Sequence, residues 1–265
     1  MVDSPPFIFE DPLALRLLDE QGAAMIPYHR ASGSHPVLAG TRAVVATRSR
    51  FAEDRLALAV DKGVDQYVIL GAGLDSFAYR SELGSRVRVF EVDAPATQQW
   101  KREKLAAEGI DPIGELTFVS LDLRDEPVVD RLAAAGFSTA RPAFLSWLGV
   151  SFYLDADSVA TTLAALSSLA PGSELVVDYV LPPDLRDEGG QTYAGFAMPV
   201  AESSGEPWRS AFAPAAMERL LFENGFETLE HVGQRECVEP SLWRRSDALQ
   251  PIGLWMAARA VRRDA

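Results

Sequence analysis

From residue 66 to residue 181, short apolar runs alternate with helical stretches, and this alternation restricts the possible folds more than any other feature of the chain. Residues 66–70 (QYVIL), 87–93 (VRVFEVD), 116–123, 143–150 and 174–181 read as strands. Helix-compatible patterns separate them, clearest over 94–108, 127–135 and 155–170. Strands spaced in this way are joined by crossover helices, so the order predicts an α/β fold with a largely parallel sheet. The apolar run 253–261 can close the sheet. Upstream, the Asp11-Pro12 pair predicts a helix start, 29–40 reads as loop because Gly33, Pro36 and Gly40 interrupt it, and 41–59 recovers helical periodicity. Residues 182–213 are rich in Gly, Pro and polar side chains and break the rhythm; they read as a cap insertion, followed by a helix over 214–224. The expected organisation is one domain over 1–265, with 1–60 and 182–213 capping it.

An open parallel sheet binds ligands beyond the carboxyl ends of its strands. The first strand ends in LGAGLDS, where Gly71 and Gly73 admit close backbone approach; the alternative is a tight strand-to-helix turn. A dinucleotide fingerprint would need glycine where Ser76 stands, and no GxxxxGK[ST] loop is present to cradle ATP. The second strand ends in FEVD. A carboxylate there, Glu91 foremost, can accept hydrogen bonds from both ribose hydroxyls, the alternative being that Glu91 or Asp93 caps the next helix. After the third strand, Asp122 can receive an adenine amino group and Leu123 can cover the ring, although strand-end Asp residues also cap helices. Three strand ends that suit an adenosine without a phosphate cradle favour S-adenosylmethionine over NAD or ATP.

Seven blocks in one order carry a family resemblance: FEDPLA (9–14), TRSRFAEDRL (47–56), VILGAGLDSFAYR (68–80), FEVDAPATQQWKREKL (90–105), VSLDLRDE (119–126), FLSWLGVSFYL (144–154) and EPWRSAFAP (206–214). Together they resemble the leucine carboxyl methyltransferase superfamily, in its bacterial branch of S-adenosylmethionine-dependent methyltransferases. The resemblance implies a class I, Rossmann-like fold with a seven-stranded, mostly parallel sheet and a helical or loop cap. It also implies methyl transfer from S-adenosylmethionine, commonly to a carboxylate, leaving S-adenosylhomocysteine. Residue by residue, it puts Gly71 and Gly73 at the methionine part, Glu91 and Asp93 at the ribose, and Asp122 and Leu123 at the adenine. Arg48 matches the arginine that holds the cofactor's carboxylate, and a guanidinium pairs bidentately with that group. One departure stands out: the protein-modifying branch has a glutamate after the fourth strand, whereas this chain has Leu148.

The chain has 25 Lys and Arg against 38 Asp and Glu, a net charge of −13, which disfavours nucleic acid as partner because phosphate binding depends on clustered cations. MVDSPPFIFEDPLAL has neither the basic start nor the long apolar run of a signal peptide or membrane span, and no cationic amphipathic helix suggests a bilayer surface. One cysteine, Cys237, permits no internal disulfide and points to a cytoplasmic compartment. His29, His35 and His231 are too scattered for metal spacing, so no metal is expected. The expected acceptor is a small acidic metabolite methylated on oxygen, such as a natural-product acid. Trp147 and Tyr153, which follow the fourth strand, Tyr179 at the end of the fifth, and Arg209 in the cap are the candidate acceptor contacts. No catalytic base is singled out. Two other readings are a protein of this fold that keeps the S-adenosylmethionine pocket without methylating, and an NAD-dependent oxidoreductase.

Overall fold

A computed structural model describes residues 3–123 and 127–264 of the chain; the last three residues of the VSLDLRDE block lie outside the described residues. Its strands are β1 (Gln66–Leu70), β2 (Arg88–Asp93), β3 (Leu116–Ser120), β4 (Phe144–Trp147), β5 (Glu174–Val180), β6 (Phe226–Gly233) and β7 (Trp255–Arg262). The helices are α1 (Glu20–Ala24), α2 (Ile26–Ala31), α3 (Pro36–Asp61), α4 (Phe77–Arg80), α5 (Pro95–Glu108), α6 (Val128–Ala134), α7 (Ala156–Leu166), α8 (Glu188–Ser203) and α9 (Pro214–Glu223). One sheet runs in the order β3-β2-β1-β4-β5-β7-β6; β1 to β5 are parallel, and β7 lies antiparallel to both neighbours.

The strand sequences explain the layers. Every residue of β1 is buried, as a central strand covered on both faces requires. On one face Val68, Phe90, Leu145 and Val177 pack with Leu132, Leu163 and Leu221 of α6, α7 and α9. On the other, Tyr67, Ile69, Val89 and Phe144 meet Phe51 and Leu56 of α3 and Leu105 of α5. A smaller core joins Val44 of α3 to Ala194 of α8 through Phe152, Val180 and Trp255.

Two local expectations need correction, and a third segment, 182–213, gains detail. Residues 29–40 are largely helical: α2 contains His29, and α3 starts at Pro36, with the His35 ring nitrogen accepting from the Val37 N–H as a cap. Pro36 at the first turn is compatible with a helix start, where its missing N–H costs nothing. The segment after Pro12 makes only turns, closed by bonds from Arg16 and Leu17 back to the Leu13 carbonyl. Residues 182–213 contain the helix α8, capped by Asp187; Gly190 within it allows close packing, since a Cβ there would stand 2.6 Å from the Gly253 carbonyl oxygen.

Candidate functional site

β1 lies between β2 and β4; the chain builds outwards from it through β2 and β3, then crosses back to β4 on its other side, so the strand order reverses at β1 and a crevice opens at its carboxyl end. The loop after β1 bends over β2, with the Gly71 and Ala72 N–H groups both donating to the Val92 carbonyl. Gly71 has φ +68°, and a Cβ there would lie 2.3 Å from Val150, so both backbone and space demand glycine. Gly73 has φ +46°, and nothing lies within 4 Å of where its Cβ would stand, which leaves open space on the crevice side. The crevice holds a cavity of about 370 Å³ lined by Asp11, Arg48, Gly71, Gly73, Leu148 and Gly149, among others.

Of the adenosine-site candidates, Asp93 sits at the carboxyl end of β2 and accepts from the Gly73 N–H at 2.5 Å and the Ala94 N–H at 2.7 Å. The Leu121 N–H donates to the Asp93 carbonyl, which brings half-buried Asp122 and Leu123 beside it. Glu91 is a correction. It is 1% exposed, points into the core between β2 and α5, and pairs with the equally buried Lys101 at 2.6 Å, so it cannot reach a ribose. Strand alternation puts Glu91 and Asp93 on one face, but only Asp93 lies far enough along to reach the crevice.

Arg48 of α3 lines the cavity, and its Nη1 donates to Asp178 Oδ2 at 3.2 Å. Burial raises the Asp178 carboxyl, with Arg48 the main opposing influence. Asp178 escaped the sequence reading, although it is the acid inside the apolar run LVVDYV, and a charge in such a strand signals a partner across the fold. Asp11 and Ser76 were missed as a pair too: Ser76 Oγ donates to Asp11 Oδ2 at 2.7 Å, so the residue that breaks the dinucleotide fingerprint fastens the N-terminal segment to the glycine loop.

The acceptor candidates separate. Tyr153 is half-buried against Phe152 in the small core between α3 and α8; burial raises its phenol, Glu206 adds to that, and Arg48 opposes it. Trp147 and Tyr179 are corrections, because both are fully buried on the opposite face of the sheet. Tyr179 shares a hydrogen bond with His231 and packs on Phe212. Arg209 is also corrected: its backbone N–H holds the Phe152 carbonyl, while its exposed side chain lies near Asp155 rather than in the crevice. Among the described residues, no group of three or more His, Cys, Asp or Glu is arranged to hold a metal ion.

The family model for leucine carboxyl methyltransferase matches residues 2–167. The chain belongs to the leucine carboxyl methyltransferase family. It is 36% identical over 204 residues, 76% of this chain and 67% of the relative, to "Putative S-adenosyl-L-methionine-dependent methyltransferase YktD" of Bacillus subtilis (strain 168). A Mycobacterium marinum (strain ATCC BAA-535 / M) protein with the same description, without the YktD, is 34% identical over 248 residues, 89% of this chain and 74% of its own. A solved structure, a "putative methyltransferase" of Thermobifida fusca YX, superposes with TM-score 0.63 at 22% identity, covering 98% of this chain and 97% of that one, and shares the fold. This member of the leucine carboxyl methyltransferase family is therefore an S-adenosylmethionine-dependent methyltransferase. The crevice fits that cofactor: Asp93 stands at the end of β2, and Gly73 faces open space. Among the described residues, no helix is long and apolar enough to cross a membrane.

Proposed function

We propose that this methyltransferase transfers its methyl group to a carboxylate oxygen of a small acid, of the kind found among natural products. The observation that carries the reading is the character of the cavity lining. Its acids Asp11 and Asp75 already accept hydrogen bonds from the protein, and none of the three histidines lines it. A carboxylate, with a reference pKa near 4, is already a nucleophile at neutral pH and needs no base, whereas a hydroxyl does. The family's own description, a carboxyl methyltransferase, supports the same choice.

The cofactor supplies a methyl group on a sulfonium leaving group. The residues of the chain bind, orient and exclude water. Arg48 is assigned to the cofactor's carboxylate, Gly71 and Gly73 to its methionine part, Asp93 to the ribose, and Asp122 with Leu123 to the adenine. Tyr153 is assigned to the acceptor side, with 1–60 and 182–213 as the cap over it. Leu148 lines the cavity where the protein-modifying branch has glutamate, so whatever that glutamate does in that branch has no counterpart here.

Methyl-labelled S-adenosylmethionine, offered with a panel of carboxylic acids and the matching alcohols and amines, tests the proposal. The expected product is an ester that releases labelled methanol in mild base. Base-stable label, as in an ether, an N-methyl or a C-methyl product, overturns it.

A further inference from the structure

Three elements meet behind the cavity: α3 with Arg48, the turn after β4 with Gly149, and β5 with Asp178. Asp178 has a side chain only 3% exposed, and it divides its oxygens between the other two. Oδ1 accepts from the Gly149 N–H at 2.6 Å, and Oδ2 accepts from Arg48 Nη1 at 3.2 Å. The guanidinium lies flat against Gly149, where a Cβ would stand 2.4 Å from Nη2, and that glycine has φ +72°. Any side chain at this position would push the arginine away and strain the turn.

Stability alone gives no reason for this arrangement. A carboxylate buried in a strand is costly, and apolar residues of similar volume commonly serve as well or better than a buried pair. What the pair does is restrict a long, flexible side chain to one place. A guanidinium has five N–H donors in a fixed plane; anchoring one aims the others. Arg48 lines the cavity and keeps 23% of its side chain exposed, so the anchored plane still presents donors to a ligand.

We infer that Asp178 is a positioning residue for methyl transfer: it holds Arg48 against Gly149 so that the guanidinium meets the cofactor's carboxylate ready-oriented. The inference rests on the assignment of Arg48 made above. Asp178 touches no reacting atom and acts through the arginine. Its negative charge by itself would weaken the attraction of Arg48 for a carboxylate, so orientation and electrostatics predict opposite effects when that charge is removed.

The test compares two ligands by calorimetry: S-adenosylhomocysteine, and methylthioadenosine, which has the same nucleoside and sulfur but no amino-acid end. Asp178→Asn keeps an acceptor for the Gly149 N–H and removes the charge that holds Arg48. It should weaken S-adenosylhomocysteine on the order of tenfold, the scale of one charge-assisted hydrogen bond, and leave methylthioadenosine unchanged. KM for S-adenosylmethionine should rise more than kcat falls, and adding Arg48→Lys should cost little further because the two act as one unit. Equal weakening of both ligands means a merely structural role and overturns the inference; so does unchanged or tighter S-adenosylhomocysteine binding. If Arg48→Lys also spares S-adenosylhomocysteine, the assignment of Arg48 is what fails. If Arg48→Lys weakens it selectively and Asp178→Asn does not, only the role of Asp178 is lost. Methylthioadenosine binding reports a folded pocket, and Asp178→Ser replaces the asparagine variant should that one not fold.

Discussion

Glu91 and Asp93 occupy alternate positions on one strand, and their chemistry differs because of depth alone. Asp93 reaches the crevice and organises the glycine loop, whereas Glu91 is sealed against Lys101 with its Oε1 unpartnered among the described residues. Asp93→Ala is expected to weaken S-adenosylhomocysteine binding by about 1.5–3 kcal/mol, a charge-assisted hydrogen bond, while Glu91→Gln leaves the calorimetric affinity unchanged. Glu91 matters for stability instead. Burial pushes its carboxyl up to about 7 despite Lys101. A folded pKa above the unfolded value of about 4.3 stabilises fully below that unfolded value, and the benefit is lost as pH rises through the folded pKa. Relative to Glu91→Gln, the native protein should therefore lose urea stability from pH 5 to pH 8. A difference between the two that does not vary with pH would refute this. The motif FEVD shows two acids at the right place in the chain, but not which of them is buried, because depth along a strand is set by where the neighbouring loop folds back.

At the scale of elements, the N-terminal segment behaves as a fixed wall of the cavity. Ile8 and Leu17 are buried in the core beneath α3, and between them Asp11 accepts from Ser76. Arg80 donates to Ser76 at 2.8 Å, forms a bidentate pair with Glu53 of α3, and lies 4.6 Å over the Phe9 ring. Ser76→Ala removes the hydroxyl shared by Asp11 and Arg80, and an unmade buried bond costs about 1–3 kcal/mol. That loss should appear locally, as faster amide hydrogen exchange in residues 8–17 with the exchange of β1 and β4 unchanged. Unaltered exchange in 8–17 would show that the apolar anchors suffice. Sequence indicated the FEDP and LGAGLDS blocks separately; their bolting together is a contact between residues 65 positions apart, which periodicity does not report. The loop expected over 29–40 has a similar cause: Gly40 resembles loop in one dimension, but in three it lets α3 pack closely on Tyr193, which a Cβ there would approach to 3.0 Å.

At the scale of the whole molecule, Arg259 joins the antiparallel edge of the sheet to its parallel half. It is 8% exposed within β7 and pairs with Glu174 of β5 and Glu230 of β6; Glu230 also takes Arg55 of α3. Arg259→Met strands a buried Glu174 and should lower unfolding free energy by roughly 3–5 kcal/mol in urea titrations. The effect should be confined to stability, with S-adenosylhomocysteine affinity unchanged below the unfolding transition; a loss of under about 1 kcal/mol, the value typical of exposed pairs, would sink the argument. The alternation of apolar runs and helices sufficed for the α/β class and the parallel half of the sheet, since hydrophobic periodicity is a local property. Seven motif blocks in one order likewise sufficed for the family and the cofactor. Sequence alone did not reveal β6, a largely half-exposed edge strand with little apolar signal. Nor did it show that Trp147 and Tyr179 face away from the crevice or that Asp178 stands behind Arg48. Those outcomes depend on which face each strand presents and on which distant side chains meet there, and only the closed tertiary packing decides that.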